Sequence, residues 1–333
     1  HEADLSDWKK QATEAVSALA NLRGEKDAPP GVEQALALLE QGKTEAAEVL
    51  FQAVATRKEK DVKEAAAAYR HLGAIAFLAE TDKALEAYRR ATELDPDNAD
   101  GWNQLGRLLN RSGEPTEAEK AYRRVEGIGT VIGDQVLLAV AYGNLGGIYQ
   151  TQGGLDQAEA MHRKSLEISK TLGDKEGIAI AYSNLGNIYQ TRGDLAEAEA
   201  MYRKSLAIEE ALGRKGGMAS AYGNLGILYH IRGDLDQAEA MYRKSLEINE
   251  TMGRKGGMAS AYGNLGNVYQ IRGDLAEAEA MYRKSLEINE TMGRKAGMSS
   301  DYSNLGNIYQ TRGDLAEAEA MYRKSLAISE TLG

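Results

Sequence analysis

The chain contains no cysteine. Disulfides, thiolate metal sites and cysteine nucleophiles are therefore excluded. Proline is nearly absent, with four residues in 333. Three of them precede residue 100, so the rest of the chain is free to be helical. Aromatic residues are mostly tyrosine, with Phe51, Phe77, Trp8 and Trp102 as the exceptions. The four histidines, His1, His71, His162 and His230, show no ligand spacing. No apolar run approaches the roughly 18 residues of a membrane span. Basic charge is not in excess either: the formal net charge is −10 and the pI about 5.2. That argues against a nucleic-acid partner, whose phosphates demand a basic footprint, and against anionic membrane surfaces. Glycine is abundant, yet no Walker or dinucleotide fingerprint follows a strand, so no cofactor is expected.

What the chain has instead is repetition. The segment GNLGNIYQTRGDLAEAEAMYRKSL returns almost unchanged every 40 residues through the last 200, marked by Tyr142, Tyr182, Tyr222, Tyr262 and Tyr302. A fixed period of this length predicts a solenoid in which each unit packs on its neighbours. It also speaks against catalysis, because a repeat supplies the same residues everywhere while an active site needs a unique constellation.

Residues 174–213 represent one unit. Asp174 can cap a first helix running to about Arg192, with Ile178, Tyr182, Leu185, Ile188 and Tyr189 at helical spacing. Gly193 ends it. Asp194 and Glu197 have the spacing of a capping box for a second helix, which carries Leu195, Ala198, Met201, Tyr202, Leu206 and Leu212 on one side. The same pair recurs as Asp234/Gln237, Asp274/Glu277 and Asp314/Glu317. The unit is an antiparallel helical hairpin.

Three regions are expected along the chain. Residues 134–333 hold five 40-residue units. Residues 32–133 hold degenerate and shorter hairpins, in which Trp102 follows Tyr69 by only 33 positions. Residues 1–27 hold an amphipathic helix through Leu5, Trp8, Ala12, Ala15, Val16 and Leu19, expected to cap the open end of the stack. The chain begins at His1 and stops at Gly333, where a further repeat would begin. Both ends suggest a fragment or processed form.

Helix geometry sorts the faces of a unit. Leu185, Gly186 and Tyr189 lie within about 60° of Tyr182 around the axis and form the packed face. Opposite them sit Ile180, Ser183, Asn184, Asn187, Gln190 and Thr191, an arc almost without charge. Repetition turns that arc into ladders. The first is Asn144, Asn184, Asn224, Asn264 and Asn304. The second is Asn187, Asn267 and Asn307, interrupted by Gly147 and Ile227. The third is Gln150, Gln190, Gln270 and Gln310, interrupted by His230. An amide offers two donors and an acceptor, so it can pair with the peptide bond of an extended ligand. It can equally bond a neighbouring hairpin and serve stacking alone. Ile227, His230, Ile231 and Ile271 depart from the pattern. They either line an apolar anchoring spot or, for the two at helix ends, tuck under the turn. Glu199/Arg203, Glu239/Arg243 and Glu279/Arg283 are i,i+4 pairs expected to solvate the outer face. The Arg-Lys pairs at 214–215, 254–255 and 294–295 fall in the turns between units and suit the nearby helix ends.

The spacing Trp102…Leu105-Gly106…Leu109…Ala118…Tyr122, repeated as Tyr182…Leu185-Gly186…Tyr189…Ala198…Tyr202, resembles the tetratricopeptide repeat over roughly residues 67–333. The 40-residue form is similar to the repeats of spindle-orienting G-protein modulators and kinesin light chains. The resemblance implies an all-α, right-handed α-solenoid, a superhelix whose first helices line a concave groove that takes extended peptides. The expected function is a non-catalytic scaffold binding a protein or peptide partner, with possible self-association, in the cytoplasm. The alternative is a regulatory or sensing arm of a larger bacterial signalling protein. The expected groove residues are Asn144, Asn184, Asn187, Gln190, Asn224, Ile227, His230, Asn264, Asn267, Gln270, Asn304 and Asn307.

Overall fold

A computed structural model describes residues 30–57, 62–77 and 80–331. The expected capping helix at 1–27 lies outside the described residues. Among the described residues there are sixteen α-helices: α1 (Pro30–Glu40), α2 (Thr44–Arg57), α3 (Val62–Ala76), α4 (Thr81–Leu94), α5 (Ala99–Arg111), α6 (Pro115–Ile132), α7 (Gln135–Thr151), α8 (Leu155–Leu172), α9 (Lys175–Arg192), α10 (Leu195–Ala211), α11 (Lys215–Arg232), α12 (Leu235–Thr251), α13 (Lys255–Arg272), α14 (Leu275–Thr291), α15 (Lys295–Arg312) and α16 (Leu315–Glu330). The chain divides into two compact units within α9, one ending at Ala181 and the other beginning at Tyr182. Inside each, consecutive helices pack as antiparallel hairpins, and each hairpin stacks on the next. The fold is an all-α solenoid.

Local sequence explains where the helices stop. Gly193 adopts φ +88°, a conformation that side-chain-bearing residues rarely take. Its N–H bonds the Gln190 carbonyl at 3.1 Å, and the Asp194 N–H bonds the Tyr189 carbonyl at 2.9 Å. These bonds close the end of α9 and reverse the chain. The first helix is capped as its sequence suggests: the Gly177 N–H donates to Asp174 Oδ1 at 3.0 Å. The second helix is not. Asp194, Asp234, Asp274 and Asp314 occupy the N-cap position but accept no capping hydrogen bond. With ψ near 65°, the cap backbone lies outside the extended range that usually brings the side chain over the first turn.

The hairpin closes on a glycine–aromatic contact. In the unit from Tyr182 onward, a Cβ at Gly186 would lie 2.5 Å from the Tyr202 ring. Gly226 and Gly266 meet Tyr242 and Tyr282 at the same distance, and Gly306 meets Tyr322 at 2.6 Å. Tyr202, Tyr242 and Tyr282 are among the largest fully or nearly fully buried side chains. They join Leu225, Leu228, Leu265, Val268, Leu305 and Ile308 in one continuous core. Burying a side chain of this size contributes about 1.5–3 kcal/mol. In the unit ending at Ala181, Gly73 faces Tyr88, Gly106 faces Tyr122 and Gly146 faces His162. Tyr182, expected among the core residues, is only half-buried; Lys204 Nζ lies 5.4 Å from its ring centre.

The outer acid–base pairs do more than face water. Glu239 bonds Arg243 on its own helix at 2.7 Å. It also accepts from Tyr269 Oη of the following hairpin at 2.7 Å and from Arg272. Glu199 clamps Tyr229 and Arg232, and Glu279 clamps Tyr309 and Arg312, in the same way. Burial opposes ionisation of Glu239, but the hydrogen bonds from Tyr269, Arg272 and Arg243 outweigh it and hold its carboxyl at about 2. These glutamates therefore tie one repeat to the next.

Two expectations follow for stability. Gly146→Ala should destabilise the protein by about 1–3 kcal/mol, because the His162 ring fills the space a methyl needs. The adjacent Gly147→Ala meets nothing within 4 Å and should instead stabilise by about 0.5–1 kcal/mol. Denaturant unfolding of the two variants tests the difference in sign.

The second expectation concerns pH. Burial pushes His162 down to about 4. His71, stacked on Phe51 at 4.6 Å, is pushed down to about 4 by burial and by Arg70. Both are neutral in the fold, so their stabilising share is complete above the unfolded pKa of about 6.5 and disappears as pH falls toward 4. Melting temperature should decline through that window, and His162→Tyr should shrink the decline.

Candidate functional site

The first ladder falls at the same turn of α9, α11, α13 and α15, at Asn184, Asn224, Asn264 and Asn304. All four are half-buried, and they differ in what they touch. Asn224 Nδ2 lies 3.4 Å from Ser183 Oγ on the preceding first helix. In the other unit, Asn144 of α7 donates to Asn103 Oδ1 of α5 at 2.9 Å. Asn184, Asn264 and Asn304 make no side-chain hydrogen bond among the described residues. For Asn264 and Asn304, the position that would supply a partner, 41 residues earlier, is Gly223 or Gly263. Such glycines also leave room: a Cβ at Gly263 would come no nearer than 3.7 Å to Ser285 Oγ.

The second and third ladders are drawn into the hairpin. Tyr202 Oη donates to Asn187 Oδ1 at 2.8 Å and lies 2.9 Å from Gln190 Oε1. Tyr282 does the same with Asn267 and Gln270, and Tyr322 with Asn307 and Gln310. These amides satisfy the polar end of a tyrosine whose ring is buried, as such hydroxyls require. A hydroxyl carries one proton, so each tyrosine donates to one of its two amides at a time. In the irregular unit the same positions hold Ile227 and His230. Ile227 packs partly into the core. His230 is half-buried, and its Nε2 has no hydrogen-bond partner. Ile231 and Ile271 do not tuck under the turn; they are 53% and 60% exposed.

A cleft of about 400 Å³ gathers some of these residues and adds others. Its walls include Asn264, Asn267, Asn304 and Ile227. Its floor includes Asp301 and Asn289, each 4% exposed, and Ser285. Asp301 is a residue that sequence reasoning missed. The signal was present, because Asp301 breaks the column Ala141, Ala181, Ala221, Ala261. Its Oδ2 accepts from Ser285 Oγ at 2.9 Å and from Asn289 Nδ2 at 2.7 Å. Where alanine occupies the column, the polar pair closes on backbone instead. Ser245 Oγ donates to the Ala219 carbonyl and Asn249 Nδ2 to the Ser245 carbonyl, at 2.9 and 2.8 Å. Burial pushes the Asp301 carboxyl up, against the opposing hydrogen bonds from Asn289 and Ser285 and the charge of Arg294.

The basic turns bind backbone: Arg254 Nη1 reaches the Gly216 carbonyl at 3.4 Å and Arg294 the Gly256 carbonyl at 3.5 Å. In the unit ending at Ala181, a larger cleft of about 890 Å³ opens around Trp102, Leu105, Leu109 and Arg124.

The comparisons with known proteins agree with this architecture. A family model described as "Tetratricopeptide repeat" matches residues 97–171, 177–251 and 257–331, and one described as "TPR repeat" matches 80–113. No curated protein matches. Among solved structures, BtubC (BKLC) from P. vanneervenii is 28% identical; the match covers 65% of this chain and 90% of that one, with a TM-score of 0.55. The apo form of RapI is 16% identical over 79% of this chain and 97% of its own, with a TM-score of 0.63. A signal transduction ATPase with a tetratricopeptide repeat sensor, from Pyrococcus horikoshii, is 15% identical, with a TM-score of 0.66. That match covers 98% of this chain but 53% of the ATPase. No helix of the described residues is long and apolar enough to cross a membrane.

A buried carboxyl whose pKa burial raises has a measurable signature. A carboxyl whose folded pKa is raised stabilises the fold fully below its unfolded value, near 3.9, and loses that contribution as pH rises through the folded value. Asp301→Ala, which restores the residue of the other repeats, should therefore stabilise the protein more at pH 7 than at pH 4. Denaturant midpoints at the two pH values test this, and an equal or reversed gain would count against it.

Proposed function

The chain belongs to the tetratricopeptide-repeat family, and we propose that its unit from Tyr182 onward is a non-catalytic binding module for an extended peptide. The peptide lies along the first helices, and the Asn ladder reads its main chain. One observation carries this reading: Asn184, Asn264 and Asn304 are half-buried mid-helix amides whose side chains make no hydrogen bond among the described residues. Asparagine inside a helix costs a few tenths of a kcal/mol relative to alanine. A half-buried amide with no bond gives nothing back to the fold, whereas Asn187 and Asn267 bond buried tyrosines. Each free amide offers a donor and an acceptor, which is what a peptide bond presents in return. Repeat proteins of this architecture serve protein–protein interaction, and tetratricopeptide arrays fall within that class.

The test uses short random peptides displayed on phage and selected on the wild-type chain. Peptides that bind should lose about tenfold or more in affinity to the double variant Asn264→Ala/Asn304→Ala, roughly 1.4 kcal/mol. The same variant should fold at least as stably as the wild type, since alanine is the better helix former. Unchanged affinity would remove the ladder from the binding surface. Light scattering separates this reading from self-association, for which mass would rise with concentration.

A further inference from the structure

Within the same unit, one repeat differs chemically from the others. Among the described residues, Asp301 is 4% exposed and forms no ion pair. Beside it Asn289, also 4% exposed, has an Oδ1 with no hydrogen-bond partner. The orientation of that amide is fixed by chemistry: Nδ2 lies 2.7 Å from the Asp301 carboxylate, and a flipped amide would set oxygen against oxygen. The 400 Å³ cleft is thus lined by Asp301 and Asn289, which hold a carboxylate and an unpartnered amide oxygen. Both are acceptors, and both are removed from water. Asp301 Oδ2 already takes two donors, both neutral; the unpartnered Asn289 Oδ1 is costly unless a donor arrives. Arg294 acts on Asp301 through its charge but forms no hydrogen bond with it: it is exposed at the rim and its Nη1 reaches the Gly256 carbonyl.

The preceding repeat is an internal control. Asn249 there has the same unpartnered Oδ1, but the column residue is Ala261 and no carboxylate accompanies it. One acceptor alone suits any N–H. An acceptor together with a carboxylate selects a cation. The ladder residues Asn264 and Asn304 stand on the wall of this same cleft, so a peptide held by them would pass its mouth. Ile227 on the wall suits the methylene stem of a long basic side chain, which buries its carbons while its charge seeks a partner.

We infer that the cleft over Asp301 and Asn289 takes the ammonium or guanidinium of one lysine or arginine side chain of the bound peptide. The inference rests on the peptide-binding reading above and adds the class of side chain that one position of the ligand must carry. Charge complementarity supports it at two scales. Locally, the entering cation pairs with Asp301 and donates to Asn289 Oδ1. Globally, a chain of net charge −10 favours approach of a basic peptide.

Peptides from the same selection provide the test. Binders should share a lysine or arginine at one position. Replacing it by norleucine, which keeps the stem and removes the charge, should weaken binding to the wild type by about tenfold or more. Against Asp301→Ala the same replacement should make little difference, so the two changes are not additive. Asp301→Asn, which keeps polarity and shape, should lose the preference as Asp301→Ala does, and circular dichroism should show both variants folded. Binders without a basic position, or a norleucine penalty that persists in Asp301→Ala, would overturn the pocket. Peptides sensitive to Asn264→Ala/Asn304→Ala but indifferent to Asp301→Ala would overturn the pocket and leave the ladder standing. Peptides indifferent to both sets would overturn both.

Discussion

An aromatic ring set against a bare glycine backbone is the contact on which every hairpin from α3 onward depends. Gly186 and Tyr202 show why. The ring comes so close that a single added carbon would sit 2.5 Å away. The approach brings the two helices near enough for Leu225 and Leu228 of the next hairpin to share the same core. It also buries a tyrosine, and a buried tyrosine carries a hydroxyl that needs a partner. Asn187 and Gln190 supply it. One close contact therefore accounts for two further residues of the repeat.

One departure from the repeat follows the same constraint and another does not. Where the aromatic is His162, which has no hydroxyl, the position of Asn187 is taken by Gly147. Both His162 ring nitrogens lack a partner, and the ring remains neutral by virtue of burial. Where Ile227 and His230 replace the two amides, Tyr242 stays buried without them, and an apolar side chain lines the cleft. Stacking is then secured elsewhere, by glutamates such as Glu239 that hold a tyrosine and an arginine of the following hairpin. These bonds lie between repeats, so the array depends on order-of-neighbour contacts and not on one central core.

Function occupies what the packing leaves over. From Tyr182 onward, the second and third amide ladders lie against tyrosine hydroxyls, and part of the first is committed to neighbouring helices through Asn103 and Ser183. What remains uncommitted is small: Asn184, Asn264 and Asn304, and the floor of one cleft where Asp301 stands in an alanine column. A repeat protein gains specificity by breaking its own pattern, and Asp301 is a break that introduces buried charge.

The sequence by itself determined the helices, their ends and the hairpin. The 40-residue period, the helical spacing of Tyr182, Leu185 and Tyr189, and the turn at Gly193 follow from local geometry, which a linear pattern records. It sorted the faces of each first helix only in part, since Tyr182 is half-buried while Asn187 and Gln190 of the expected free face bond Tyr202. Only tertiary structure decided which amides on that free face are available, because Asn187 and Asn184 are the same residue type on the same helix. Their difference lies in Tyr202, fifteen positions away on another helix, whose hydroxyl reaches one and not the other. The capping box at Asp194 failed for a related reason: spacing matched, but the backbone angle at the cap did not. Asp301 was readable as an exception to its column, yet its meaning came only from packing. Burial beside Asn289 and Ser285 turns one substitution into a charged floor, and a sequence does not record what lies beside a residue across a helix pair.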